Sequence, residues 1–254
     1  MGIKPQLLRR CRPFANLPGA DLDVLAAIAT MRWVDRGEYL YRQKDPAKMA
    51  YILFDGAVKL SRTASSGRVL VVDFLGAGAL LAERVLLGEP EHLENTCVVE
   101  DALVAMLPVS LVTRFLVARP EAIMALARHL AERLGAQETK VAALSTKRVD
   151  QRLAEGLLLL AGSHGSRSNG RLMINARITQ AELADWLGTT RETVSLQLNE
   201  LRRAGLIDIV RRRVHLLDTD ALCAYAECEG PPADLPAVLG SGARKKESLN
   251  RPAC

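Results

Sequence analysis

Apolar residues recur along this chain in two rhythms, and the places where the rhythm changes divide it. Residues 21–30 carry Leu22, Val24, Leu25 and Ile28 at helical spacing behind a Pro-Gly turn. From Trp33 to Leu107 apolar residues come instead in short runs: Tyr39–Tyr41, Tyr51–Phe54, Val58–Leu60, Val69–Phe74, Cys97–Val99 and Leu103–Leu107. Gly, Asp and Pro separate them. Runs of that length and spacing predict the short strands of an all-β sandwich or barrel. Gly37, Gly56, Gly67, Gly78 and Gly88 stand where its turns are expected.

The helical rhythm returns at Pro120. Ile123, Ala127, Leu130, Leu134, Gln137, Val141 and Leu144 recur at alternating steps of four and three, the a/d seam of a coiled coil. A helix packed on its own domain has a similar period. The narrow stripe and its charged flanks (Arg128, Glu132, Arg133, Glu138, Lys140) favour a seam between two copies of the chain. A second helix is expected from Val149 to Ala161, then a turn-rich stretch over 162–170 and a short strand at Leu172–Ile174. Further on come two helices, a hairpin and a short helix from Asp218. The tail from Gly230 mixes Gly, Pro and Ser with the basic cluster Arg244-Lys245-Lys246 and is expected to be disordered.

The densest local signals lie between Thr179 and Leu206. Thr179 with Glu182 spells a capping box, so a helix starts there. Leu183, Ala184 and Leu187 form its inner face, and Gly188 ends it. Thr190 caps a second helix beginning at Arg191, with Val194, Leu198 and Leu201 inward and Gly205 as its stop. Two helices joined by a tight Gly turn, with small Ala184 at the close approach, form a helix-turn-helix. The first turn of the second helix presents Arg191, Glu192 and Ser195, the end that enters a DNA major groove. Arg191 can donate two bonds to guanine and Glu192 can accept from cytosine. The hydroxyls of Thr179, Thr189 and Thr190 suit phosphate oxygens. The hairpin, Ile207–Val210 and Val214–Leu217, turns on Arg211–Arg213 and is expected to carry Arg212 to phosphate as a basic wing.

Composition narrows the reading. The 254 residues carry a net charge of +5, with Arg clustered from Arg191 to Arg213, which is compatible with a polyanionic partner. The sequence has no run of apolar residues long enough to span a membrane and no secretory leader pattern, so a cytoplasmic protein is expected. The five cysteines (Cys11, Cys97, Cys223, Cys228, Cys254) are scattered without a CxxC pair, which argues against a disulfide framework or a four-thiolate cluster. His92, His129, His164 and His215 stand at no ligand spacing, and no nucleophile–base order, phosphate loop or HExxH occurs, so no enzyme and no metal site is expected.

The order of strands, long helix and winged helix resembles the CRP/FNR family of bacterial regulators over about Phe14 to Tyr225. The most specific stretch is Ile178–Ile207, with Arg-Glu-Thr-Val at 191–194; Gly37-Glu38, Asp45, the run 51–60, Gly67, Gly78, Glu83 and Glu100-Asp101 match the family's roll. The resemblance implies an α+β protein: a cyclic-nucleotide-binding-like antiparallel β-roll over 14–118, a dimerisation helix over 119–147, a winged helix-turn-helix over 148–228 and a tail over 229–254. It implies a homodimer on an inverted-repeat DNA operator, with RNA polymerase as a further partner. The family's phosphate cassette is altered here. Ala82 replaces its Gly, Glu83 remains, and Leu93-Glu94 stand where Arg-Ser is usual. Glu94 would repel a phosphate, and Gln137 and Glu138 stand where the long helix meets the nucleotide base, so cyclic AMP is not expected. Leu196 replaces a further family Arg of the recognition helix. Haem ligated by His92, oxidation at Cys97, an unidentified small effector, or no effector at all remain the open signals, with a cyclic-nucleotide-responsive member of the family as a further alternative.

Overall fold

The computed structural model describes residues 3–168 and 171–228; the tail expected to be disordered lies outside them. The chain opens with α1 (Pro5–Leu8), a 3-10 turn (Arg12–Phe14) and α2 (Gly19–Ile28). Strands β1 (Thr30–Val34), β2 (Tyr39–Tyr41), β3 (Met49–Thr63), β4 (Val69–Leu75) and β5 (Leu80–Leu81) follow, then a 3-10 turn at Glu83–Leu87 and β6 (Asn95–Pro108). All pairing is antiparallel, in the order β1-β6-β3-β4, with β2 also on β6 and β5 on β3.

The sequence runs 51–54 and 58–60 prove to be one strand, as do 97–99 and 103–107. Where their apolar pattern breaks, the β3–β6 register shifts between Leu53 and Val58. Gly56 sits in that bulge at φ +85, and a Cβ there would come within 2.4 Å of the Asp101 carbonyl oxygen. Only glycine lets the strands cross so closely. The five glycines expected at turns all adopt positive φ. The roll's core reaches upstream of residue 14, taking in Ile3, Leu8 and Cys11 together with Phe14, Leu22 and Leu25.

Helix α3 (Val109–Val117), which the sequence pattern did not mark, packs Val112, Phe115 and Leu116 on the roll. Pro120 then opens α4 (Pro120–Thr146), where a proline's missing N–H costs no helical bond. Its buried residues are Ala122, Leu126 and Ala143. The expected seam is divided: Leu134 is 61% and Val141 65% exposed, whereas Leu130 packs partly against the roll's core.

The remaining elements are α5 (Val149–His164), β7 (Gly165–Ser168), β8 (Arg171–Ile174), α6 (Gln180–Leu187), α7 (Arg191–Arg203), β9 (Ile207–Val210), β10 (Arg213–Leu216) and α8 (Thr219–Tyr225). Helix α5 runs three residues past the expected end at Ala161, and β7 forms where only turns were expected. Gly165-Ser-Arg-Ser has no apolar alternation, so nothing in its pattern marks a strand; pairing with β8 makes it one. The four strands lie in the order β7-β8-β10-β9. Their core is continuous with the roll: Ala57, Val71, Phe74 and Val99 join Leu157, Trp186 and Leu187 in one cluster. Phe74 meets Trp186 edge-on, centroids 5.5 Å apart.

His164, at the end of α5, is buried at this junction, and burial pushes its pKa down to about 4. The unfolded chain, with histidine at its ordinary 6.5, binds more protons between these values. Stability is therefore lost as pH falls from 6.5 towards 4, by on the order of 3 kcal/mol from this group. Urea unfolding at neutral and acidic pH measures the loss. His164→Asn should shrink the difference between the two pH values, and an unchanged difference would remove His164 as its source.

Candidate nucleic-acid interface and sensor pocket

The helix-turn-helix forms from local signals. Thr179 Oγ1 accepts from the Glu182 amide at 3.2 Å, and Glu182 Oε2 accepts from the Thr179 amide at 2.8 Å. Gly188, at φ 66, closes α6 in the left-handed region. Thr190 Oγ1 accepts from the Thr193 amide at 3.2 Å and starts α7. With Val194, Leu198 and Leu201 buried, the opposite face and the first turn of α7 are left to solvent. Arg191, Glu192 and Thr190 are exposed, and Thr189 and Ser195 are half-buried. Neither Arg191 nor Glu192 enters an ion pair among the described residues. The unsatisfied N–H groups and the positive end of the helix dipole face outward beside them. Leu196 is 55% exposed on the same face, an apolar side chain where a base-reading Arg is usual in the family.

The wing differs from expectation. Arg213 pairs with Val210, so the turn holds only Arg211 and Arg212. Both are left-handed, at φ +50 and +64. Such a two-residue turn favours Asn or Gly, because a Cβ is strained there. Arg213 is not at the tip. It lies on β10, its guanidinium 3.6 Å from the Glu100 carboxylate of the roll.

Thr179, expected to meet phosphate, is committed elsewhere. Its hydroxyl donates to Glu182 Oε2 at 2.8 Å, and the other carboxylate oxygen of Glu182 accepts from Lys59 Nζ on β3 at 2.6 Å. Both side chains of that ion pair are 20% exposed. Close by, Lys140 of α4 donates to the Val72 carbonyl at 2.7 Å and lies 4.9 Å from the Trp186 ring centroid. Burial pushes Lys140 down to about 8, against the pull of Asp73. Gly76 completes the joint: a Cβ there would lie 2.2 Å from the Ser163 carbonyl oxygen.

The five candidate pocket residues fall in four places. Glu83 and His92 share a cavity of about 10 Å³ with Tyr41 and Glu94. Glu83 is buried and ion-paired to Arg133 of α4. Arg133 and Lys140, expected as solvent-facing flanks of the seam, are both turned to the roll. Ala82 holds the left-handed conformation, φ 58, that a Gly would take without strain. His92 stacks on Tyr41 at 3.9 Å, and burial pushes its pKa down. Burial, then the charge of Glu83, raises the Glu94 carboxyl. Ligand pockets occupy roughly 300–1,000 Å³, so neither a cyclic nucleotide nor haem fits between Glu83 and His92 in this conformation. Cys97 is absent from this cavity. It pairs with Lys59 across β3 and β6 and is half-buried, not fully buried as its apolar strand suggests, and burial raises its thiol. Gln137 lines a separate cleft of about 790 Å³ between the roll, α4, α5 and α6, whereas Glu138 is exposed on α4.

Residues 31–119 match the model of the cyclic nucleotide-binding domain, and residues 151–225 that of the Crp-like helix-turn-helix domain. The chain is 30% identical to the transcriptional regulator LdrP of Thermus thermophilus over 192 residues, 76% of this chain and 94% of that protein. It is 27% identical over 191 residues to the CRP-like cAMP-activated global transcriptional regulator of Mycobacterium tuberculosis, covering 75% of this chain and 85% of the relative. Among solved structures, a CRP-family transcriptional regulator from Thermus thermophilus superposes with a TM-score of 0.67 at 28% identity, covering 80% of this chain and 99% of the other.

Lys59→Met and Glu182→Gln together form a double-mutant cycle on the joint. The pair is half-buried and hydrogen-bonded, so a coupling of about 1–2 kcal/mol is expected from denaturant unfolding of the four proteins. Additive losses would mean that the contact behaves as a screened surface pair.

Proposed function

Since this chain belongs to the CRP/FNR family of transcription regulators, which are not enzymes, we propose that it acts as a homodimer reading an inverted-repeat operator through Arg191 and Glu192. The observation that carries this is the exposed pair, engaged in no ion pair among the described residues, at the dipole-positive start of a helix whose other face is locked into a core. The wing supports it. Two arginines held in a conformation that disfavours them are a cost to the fold, and the charges they present outward suit phosphate. The outward apolar row of α4, with Leu134 and Val141 both exposed in the single chain, supports the second copy. In this reading the chain divides into roll, long helix and winged helix, works in the cytoplasm, and meets RNA polymerase once on DNA.

The signal is not cyclic AMP in the roll. The Mycobacterium tuberculosis relative is described as cAMP-activated, but here Arg133 already neutralises Glu83 and Glu94 crowds the same small cavity. A haem or cyclic-nucleotide response through the roll would first have to part Glu83 from Arg133.

Selection on random DNA should return an inverted repeat with half-site centres about 34 Å apart. Arg191→Ala should cost about 1–3 kcal/mol and relax preference at one position per half-site. Arg212→Ala should weaken binding on all sequences alike, lowering the salt slope by about 0.9 for each phosphate the wing ceases to touch. Recovery of no repeat, or unchanged preference in Arg191→Ala, would sink the assignment. Leu134→Glu with Val141→Glu should give monomers by sedimentation, and a wild-type monomer at micromolar concentration would refute the dimer. Calorimetry with cyclic AMP should show no micromolar binding.

A further inference from the structure

A disulfide joins Cys223 to Cys228 at the end of α8, with Cα atoms 5.4 Å apart. The cysteine pattern, with no CxxC pair and no framework, predicts no disulfide, and a five-residue spacing carries no such signal. The backbone brings the two sulfurs together by itself. Ala226 donates to the Leu222 carbonyl at 3.0 Å, Glu227 to Ala224 at 3.1 Å and Cys228 to Cys223 at 3.2 Å. Glu227 takes the left-handed conformation, φ +50, that folds Cys228 back. Cys223 is buried in the core of the winged helix, and Cys228 is only partly covered at its edge.

Tyr225, inside the closed loop, donates its hydroxyl to Asp150 Oδ2 at 2.9 Å. The same carboxylate is held by the Arg148 guanidinium at 2.8 Å. Arg148 is the N-cap of α5, one residue beyond the break from α4. The sulfur pair thus sits two contacts from the junction at which the winged helix leaves the long helix.

A bridge this short removes comparatively little entropy from the unfolded chain, so it is a poor structural staple. A DNA-binding regulator works in a compartment where thiols are kept reduced, and disulfides there are usually transient or sensing.

We propose that Cys223 and Cys228 are a reversible dithiol–disulfide site for low-molecular-weight disulfides of the glutathione class, and that its state sets how tightly α8 holds the α4–α5 junction. The Cys228 thiolate, at the edge of the core, attacks one sulfur of the small disulfide. That S–S bond breaks, one small thiolate leaves, and a mixed disulfide remains on Cys228. Cys223 gives its proton to water and attacks the Cys228 sulfur, expelling the second small thiolate. The protein loses two electrons and two protons, and the small disulfide becomes two thiols. Closing the bridge fixes the loop that carries Tyr225, and through Tyr225 the Asp150–Arg148 ion pair at the start of α5.

The test equilibrates the full chain in glutathione buffers of graded ratio, then quenches, alkylates and maps the peptides. Cys223 and Cys228 should lose alkylation together as one two-electron couple. Amide exchange at residues 147–152 should be slower in the oxidised protein by about fivefold, the factor that one net hydrogen bond is worth. Cys223→Ser and Cys228→Ser should each abolish both effects. Tyr225→Phe should keep the couple and lose the difference at 147–152. A pair that stays reduced at the most oxidising ratio, or bridged at the most reducing, would overturn the site. Equal exchange at 147–152 in both states would overturn its link to the junction.

Discussion

Lys140 carries a positive charge into a half-buried joint, and two parts of the chain, β4 and α6, are arranged around keeping it there. The Val72 carbonyl from the roll accepts a hydrogen bond from it, Asp73 supplies the opposite charge, and the face of Trp186 from the helix-turn-helix lies nearby. Removing an ammonium from water is costly unless such partners meet it. Their joint geometry fixes the rotation of α4. Arg133 lies seven residues before Lys140, two turns back on the same face, and so reaches Glu83. Leu134 and Val141, each one position further on, are thereby turned outward. One row of the helix is spent on its own roll, and the adjacent row is left for another surface.

That offset explains why some of the site was legible in the sequence and some was not. Caps are local chemistry. Thr179 with Glu182, and Thr190 with Thr193, are three residues apart, and their spacing states the helix starts directly. The Gly188 turn and the strand texture of the roll are equally short-range. Arg133 and Lys140 carry no such mark. Heptad logic assigns charged neighbours of an apolar stripe to solvent, and their true partners lie in the roll, 50 to 68 positions away. Glu182 has a helix cap as its local role and a lysine 123 residues upstream as its distant one, and only the first shows in the pattern. Arg213 read as a third tip residue because a run of arginines does not reveal which of them a two-residue turn will hold.

The roll's small cavity has the same logic in its charges. Two carboxylates, Glu83 and Glu94, face the Arg133 guanidinium drawn from α4, with Arg62 and Arg84 also acting on Glu94, and burial raises that second acid. Where the family's cassette offers cations and N–H groups to an anion, this chain offers acids to a cation of its own. The long helix is clasped to the roll by an internal ion pair.

The Arg211–Arg212 turn has a consequence for anyone re-engineering the chain. Asn-Gly in its place would relieve a left-handed strain of roughly 1–2 kcal/mol per residue and give a better-behaved hairpin. A stability screen would reward that swap, and the protein would pass every test of folding. It would also have lost both cations at its most forward point. If the wing meets phosphate as proposed, thermal stability is a misleading guide at this turn, and its two strained arginines are the residues to leave alone.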